Sequence, residues 1–330
     1  MGEWYIRLMM TLSVAAKKHT CQYPPALFLM GPTASGKTSL ALSLVDQFPF
    51  EIISVDSALI YCHMDIGTSK PDERVLQKYP HHLVNIRDPF EAYSVAEFRR
   101  DALSAMADIV SRGKIPLLVG GTMLYFRALT KGLSDLPASN KQIRTALEKE
   151  LENLGLDAMH QKLQAIDPEA ASKIHPNDPQ RIQRALEVHR ISGIPISEWW
   201  AKENRQELPY TVFKMAIGAS DRRILHQRIE IRFAEMLKAG FVDEVISLRA
   251  RGDLDLDKPA MRAVGYRQVW QYLDGAYDAE EMQYRGIVAT RQLAKRQLTW
   301  LRSEQNLNWI NADEKDFMEN ALKIVAQIPK

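Results

Sequence analysis

Cysteine is nearly missing from this chain: 330 residues hold two, Cys21 and Cys62. Two cysteines exclude a disulfide framework and a four-cysteine zinc site, and they point to a reducing, cytoplasmic setting. Long apolar runs are missing as well. None approaches the ~18 residues that a bilayer-spanning helix needs, so no membrane partner is expected. Net charge is only +2, which by itself implies no nucleic acid; any such binding must come from local clustering. Internal repeats and low-complexity tracts are absent. The opening "MGEWYIRLMMTLSVAAKKHT" lacks the order of a secretory signal, because Arg7 interrupts its apolar stretch and Lys17-Lys18 follow it. Residues 1–21 are expected to form a weakly ordered tail.

The residues present, 46% hydrophobic and 25% charged, suit a soluble globular protein. Short apolar runs alternate with helical patterns, the signature of a parallel α/β sheet. Strands are expected at 26–30, 51–55, 82–86, 115–119, 212–219 and 307–311. Between 139 and 207 the alternation stops and only helical patterns remain. The expected organisation is a core of 22–138 and 208–330, interrupted by an all-helical insertion at 139–207.

Chemistry enters with "GPTASGKT", which sits between the apolar run "ALFLM" and a helical pattern. It fits G-x-x-x-x-G-K-[ST], the loop that wraps backbone N–H groups around a chain of phosphates. Gly31 and Gly36 allow the tight turn; Pro32, Thr33, Ala34 and Ser35 supply the intervening backbone. Lys37 reaches the terminal phosphate, and the Thr38 hydroxyl is placed to ligate a Mg²⁺ shared with it. The fold class is therefore a P-loop NTPase-like parallel sheet flanked by helices, with the helical insertion.

An ATPase normally adds an acid at the end of a second strand. "IPLLVGGT" ends in glycines, whereas "EIISVDS" places Asp56 at a carboxyl end, the edge where doubly wound sheets bind ligands. Asp56 could be a Mg²⁺ ligand or a general base; strand-end aspartates also commonly cap the next turn. Arg222, just after a strand, is a candidate further cation on the phosphates, or simply a surface arginine.

Basic residues cluster late in the chain. Residues 285–302, "RGIVATRQLAKRQLTWLR", hold five Arg or Lys and no acid. At about 100° per residue, Arg291, Lys295 and Arg302 fall within about 40° of one another. Ile287, Ala294, Leu298 and Leu301 form an apolar stripe beside them. Trp300 and the amides of Gln292 and Gln297 offer stacking and base-edge contacts. "QRIQRALEVHR" adds Arg181, Arg184 and Arg190, and "RAVGYR" adds Arg262, Tyr266 and Arg267. One such run is usually a solvated face; three in a near-neutral chain favour an RNA groove.

The motifs "GPTASGKT", "ISVDSALIY", "MDIGTSKP", "HHLVNIRDP", "VGGTMLYFRAL", "DPQRIQRALEV", "RAVGYRQ" and "KRQLTWLR" occur in order from about 26 to 302. In that order the chain resembles the bacterial tRNA dimethylallyltransferases. The resemblance implies transfer of a dimethylallyl group from dimethylallyl diphosphate to N6 of adenine-37 beside the tRNA anticodon, with Mg²⁺ and without ATP consumption. It implies that Asp56, Ser57, Ala58 and Leu59 line the flipped base and that Thr122 touches RNA. It places further tRNA contacts at Arg144 and at Gln180, Arg181, Ile182, Gln183 and Arg184. Others fall at Arg262, Ala263, Val264, Gly265, Tyr266 and Arg267. The last group is Lys295, Arg296, Gln297, Leu298, Thr299, Trp300, Leu301 and Arg302. A monomer gripping the anticodon stem-loop with its insertion is expected. Where the family commonly reads Tyr-Arg-Gly-Met, this chain has Tyr61-Cys62-His63-Met64, so no arginine role carries over there.

Zinc at Cys62, His63, His81 and His82 is disfavoured, since the spacing of structural sites is not matched. Three rival functions use the same loop: a P-loop kinase, a transferase acting on free AMP, and an RNA-binding switch without chemistry. The three basic stretches and the insertion argue against the first two.

Overall fold

In the computed structural model, residues 23–202, 207–326 and 328 are described. The expected tail at 1–21, with Cys21, lies outside them. The chain runs β1 (Pro25–Met30), α1 (Lys37–Gln47), β2 (Phe50–Val55), α2 (Glu73–Lys78), β3 (His81–His82), α3 (Val95–Ser111), β4 (Ile115–Gly120) and α4 (Met123–Lys131). Five helices follow: α5 (Lys141–Leu154), α6 (Leu156–Ile166), α7 (Pro168–Lys173), α8 (Pro179–Ser192) and α9 (Ile196–Ala201). Then come β5 (Thr211–Gly218), α10 (Arg222–Lys238), α11 (Phe241–Ala250), a 3₁₀ turn at Ala260–Arg262, α12 (Tyr266–Leu273), α13 (Ala279–Arg302), β6 (Asn308–Asn311) and α14 (Phe317–Val325).

The six strands form one parallel sheet in the order β3-β2-β4-β1-β5-β6. Every residue of β2 is buried, as is β1 after Pro25, because parallel sheets carry helices on both faces. Leu27 and Leu29 of β1 pack with Leu40 and Leu44 of α1 and Ile217 of β5 in the main core. From β1 the chain passes to β2 on one side, and after β4 it returns to β5 on the other. The carboxyl end of β1 is thus a topological switch point, the usual place for a ligand crevice.

One expected strand is cut short. β3 spans His81–His82 and keeps only His82 of the run 82–86, because Leu83 and Asn85 take left-handed φ values of 62° and 55° that no strand accommodates.

The described chain divides into two compact units, one up to Leu129 and from Pro209 on, the other Thr130–Leu208. Among its described residues the second contains helices and no strand. Its helix starts are written in the sequence: Asn140, Asp167 and Asp178 side chains accept N–H groups of the first turns, with Pro168 and Pro179 inside two of them. Its core gathers Leu147, Met159, Leu163, Ile182 and Leu186. No described helix is long and apolar enough to cross a membrane.

Candidate active site

The phosphate loop leaves β1 at Gly31. Ala34 and Gly36 both take positive φ, 61° and 89°, which turns successive N–H groups toward one side ahead of α1. The Lys37 ammonium folds back onto the Pro32 carbonyl at 2.6 Å. Gln297, buried on α13, closes the loop from behind. Its Oε1 accepts the Thr33 N–H at 2.9 Å, and its Nε2 donates to the Gly121 carbonyl at 2.9 Å. This corrects the sequence expectation of an outward base-edge amide: Gln297 shares the buried stripe of Ala294 and Leu301. The three- and four-residue spacing of those positions was the signal that could have shown it.

A cavity of about 190 Å³ opens at this edge of the sheet. Lys37 and Thr38 line it, as do Ser54 and Asp56 from β2 and its end, and the turn Gly67–Ser69. Ala58, Leu59, Ala263 and Val264 line it too. Asp56 commits its Oδ1 to the Ala58 N–H at 2.8 Å, an aspartate turn at the strand end. Thr122 does not line the cavity; its hydroxyl accepts the Ser57 N–H at 3.1 Å and so fixes the same turn. Burial lowers the Lys37 ammonium to about 8, opposed by the Asp56 carboxylate and reinforced by Arg232.

Arg232 is the cation that the sequence reading missed. It lines the cavity from α10, where its Nε donates to the Ser69 hydroxyl at 2.7 Å and an Nη to the Thr68 carbonyl at 3.4 Å. Burial lowers its pKa, with Asp56 pulling the other way. The expected cation, Arg222, is instead exposed at the start of the helix, its Nε against His226 Nε2 at 3.2 Å. It does not line the cavity.

The expected RNA-facing stretches split by burial. Tyr266 has no exposed surface, packs edge-on against Phe241 with ring centroids 5.0 Å apart and stands in the cavity wall. Its neighbours Arg262 and Arg267 are exposed, and Gly265 is buried. On α13, Lys295, Arg296, Thr299 and Arg302 are exposed while Leu301 is buried and Leu298 half-buried. Trp300 lies under the Arg127 guanidinium at 5.7 Å, and Arg291 is paired with Glu230. In the helical unit Gln180 and Arg181 are exposed and Ile182 is buried. Gln183 donates to the Arg144 carbonyl. Arg144 and Arg184 both hold the fully buried Glu187, at 2.9 and 2.7 Å. Burial pushes the Glu187 carboxyl up, but the two guanidiniums and the Asn140 N–H outweigh it and hold its pKa below the usual value. Ile182, Tyr266, Gln297 and Leu301 are thus buried side chains on no outer surface, and Tyr266 and Gln297 stand in the cavity wall.

Among the described residues, Glu51, His82 and Asp108 are the one acid and histidine group close enough to share an ion. They sit at the amino end of β2, and Arg112 already forks onto Glu51 and reaches Asp108, with Lys114 2.9 Å from Glu51. The oxygen donors that suit a hard divalent cation are Thr38 and Asp56 beside the phosphate loop.

The sequence profile described as IPP transferase matches residues 59–304. Among solved structures, the tRNA isopentenylpyrophosphate transferase of Bacillus halodurans is 34% identical over 92% of this chain and 96% of its own, with a TM-score of 0.66. The tRNA delta(2)-isopentenylpyrophosphate transferase of Staphylococcus epidermidis is 32% identical over 92% and 98%, with a TM-score of 0.65. A eukaryotic dimethylallyltransferase acting on tRNA is 27% identical over 92% and 77%, with a TM-score of 0.78.

Proposed function

This chain belongs to the IPP transferase family, and from that we propose that it transfers a dimethylallyl group from dimethylallyl diphosphate to N6 of adenine-37 in tRNA, releasing diphosphate. In the transfer the bond from carbon-1 to N6 forms as that from carbon-1 to the diphosphate oxygen breaks. One N6 proton leaves to Asp56. The N6 lone pair is delocalised into the purine ring, so relief of positive charge by a placed carboxylate is worth ~10²–10⁴-fold. Asp56 has one oxygen held by the turn and presents its carboxylate to the cavity that Lys37 lines.

The departing diphosphate gathers negative charge, which the loop N–H groups, Lys37 and Arg232 are arranged to receive. Lys37 releases the Pro32 carbonyl to do so. When bound through Thr38, with Asp56 nearby, Mg²⁺ would add a further positive charge on the same oxygens. Adenine must leave its stack to reach N6 to Asp56; Leu59, Ala263 and Val264 give the mouth of the cavity an apolar lining for it. The exposed Arg181, Arg262, Arg267, Lys295, Arg296 and Arg302 are the proposed tRNA backbone contacts, with Gln180, Thr299 and Trp300 beside them. The helical unit would take the anticodon stem. The chain is proposed to act as a monomer.

The observation that carries the proposal is the meeting of Lys37, Thr38, Asp56 and Arg232 in one cavity. Incubating the protein with labelled dimethylallyl diphosphate and tRNA, and separately with ATP, tests it. Prenylated adenine in the RNA is expected; ATP turnover with unmodified RNA would point to a kinase instead.

A further inference from the structure

The turn that carries Arg232's partners is itself held from outside the cavity. Asp65, Ile66 and Gly67 present three consecutive backbone N–H groups to one carboxylate, that of Glu244 on α11. Glu244 Oε2 accepts from Asp65 at 2.9 Å and Ile66 at 2.7 Å, and Oε1 accepts from Gly67 at 3.1 Å. The Tyr266 phenol donates to the same Oε1 at 2.5 Å. Three successive N–H groups make an anion nest of the kind that binds phosphate, and here the protein's own carboxylate fills it. The backbone lies flat on the aromatic pair beneath: a Cβ on Gly67 would come 2.0 Å from the Phe241 ring.

The consequence travels along the turn. The next two residues, Thr68 and Ser69, supply the carbonyl and hydroxyl that hold the Arg232 guanidinium. Glu244 does not line the cavity. Resting on the reading of that cavity as a diphosphate site, we propose that Glu244 is a positioning residue: it locks the 65–69 turn so that Arg232 faces the donor diphosphate. Tyr266, which fixes the carboxylate, contributes to the same lock.

Binding of inorganic pyrophosphate, measured by calorimetry on the full chain, tests this without requiring turnover. Glu244→Gln loses the charge and sets an amide N–H against backbone donors. It is expected to weaken pyrophosphate about tenfold, with tRNA affinity within about twofold. In kinetics the donor KM rises by a similar factor. The diagnostic is a double-mutant cycle with Arg232→Gln: if Glu244 acts through Arg232, the double variant binds pyrophosphate no more weakly than Arg232→Gln alone. Tyr266→Phe should give a smaller loss, about threefold. Should Glu244→Gln fail to fold, Ser69→Ala removes the acceptor of Arg232 Nε from an exposed position, and a loss of about threefold is expected. Native pyrophosphate affinity in folded Glu244→Gln or in Ser69→Ala, or additive losses in the cycle, would overturn the inference. Absence of pyrophosphate binding by the native protein would overturn the donor-site reading beneath it.

Discussion

The two ends of β2 carry two carboxylates with opposite fates. At the amino end Glu51 is 5% exposed and fully engaged: Arg112 forks onto it at 2.7 Å twice, Lys114 stands at 2.9 Å and His82 at 2.6 Å. The Arg112 guanidinium, with His82 and Lys114 behind it, outweighs burial and holds its pKa far below the carboxylate range. At the carboxyl end Asp56 accepts the Ala58 N–H, its one hydrogen bond among the described residues, and faces a cavity. A carboxylate whose acceptor sites are all taken by cations fastens the fold and has little basicity left. One with an unengaged oxygen, near cations that a ligand can draw away, can take a proton. Satisfaction, more than burial, separates structure from chemistry here.

The largest effect that would break this contrast is kinetic. Asp56→Asn is expected to lower kcat ~10²–10⁴-fold with tRNA affinity within a few-fold, as measured by single-turnover transfer and by filter binding. Loss of tRNA binding with turnover kept would remove the general-base role. The pH dependence sharpens the same point from the cation side. Lys37 sits at about 8 in the free protein, so kcat/KM for the donor should fall about tenfold per pH unit above that value as the ammonium is lost. Stability moves the other way there. Between about 8 and the ordinary lysine value the unfolded chain binds more protons, so folding is favoured as pH rises. Lys37→Arg should abolish the activity step; a flat profile to pH 10 in the native protein would contradict it.

Smaller still is the effect expected behind the phosphate loop. Gln297→Met removes the hydrogen bonds to Thr33 of the loop and to Gly121 after β4, and should raise the donor KM about tenfold with kcat nearly kept; an unchanged KM would mean the loop holds its shape alone. The smallest effect belongs to the other end of the strand. Glu51→Gln should lose about 1–3 kcal/mol of stability in urea titrations at pH 7, with native kcat. Because the folded pKa of Glu51 is depressed, its contribution is present above the ordinary glutamate value and disappears as pH falls below it. The variant and the native protein should therefore converge in acid. A kcat loss in Glu51→Gln would erase the distinction between the two ends.

The sheet and the phosphate side of the site were legible because their signals are local. A strand, a glycine turn and a Lys-Thr pair follow one another in "ALFLMGPTASGKT", and Asp56 ends the next strand of the chain, which β4 alone separates from β1 in the sheet. Arg232 was not legible in this way. It lies about ten residues beyond Arg222 on one helix, ~15 Å along its axis, and no motif surrounds it. Its only trace is a charge set on the stripe of Leu225, Ile229 and Phe233. The burial of Tyr266 and Gln297 was hidden for a related reason: an aromatic or an amide in a basic run looks like an exposed nucleic-acid contact until packing shows which face it occupies. The early end of β3 depended on left-handed backbone at Leu83 and Asn85, which an apolar "HLVNI" does not announce.

The most direct measurement is a crystal structure with an unreactive dimethylallyl diphosphate analogue and an anticodon stem-loop. The diphosphate oxygens should lie within hydrogen-bonding distance of Lys37 Nζ, Arg232 and the loop N–H groups, with the Asp56 carboxylate about 3 Å from adenine N6. Oxygens bound elsewhere, or Asp56 turned from the base, would contradict a diphosphate cradle working beside a proton acceptor.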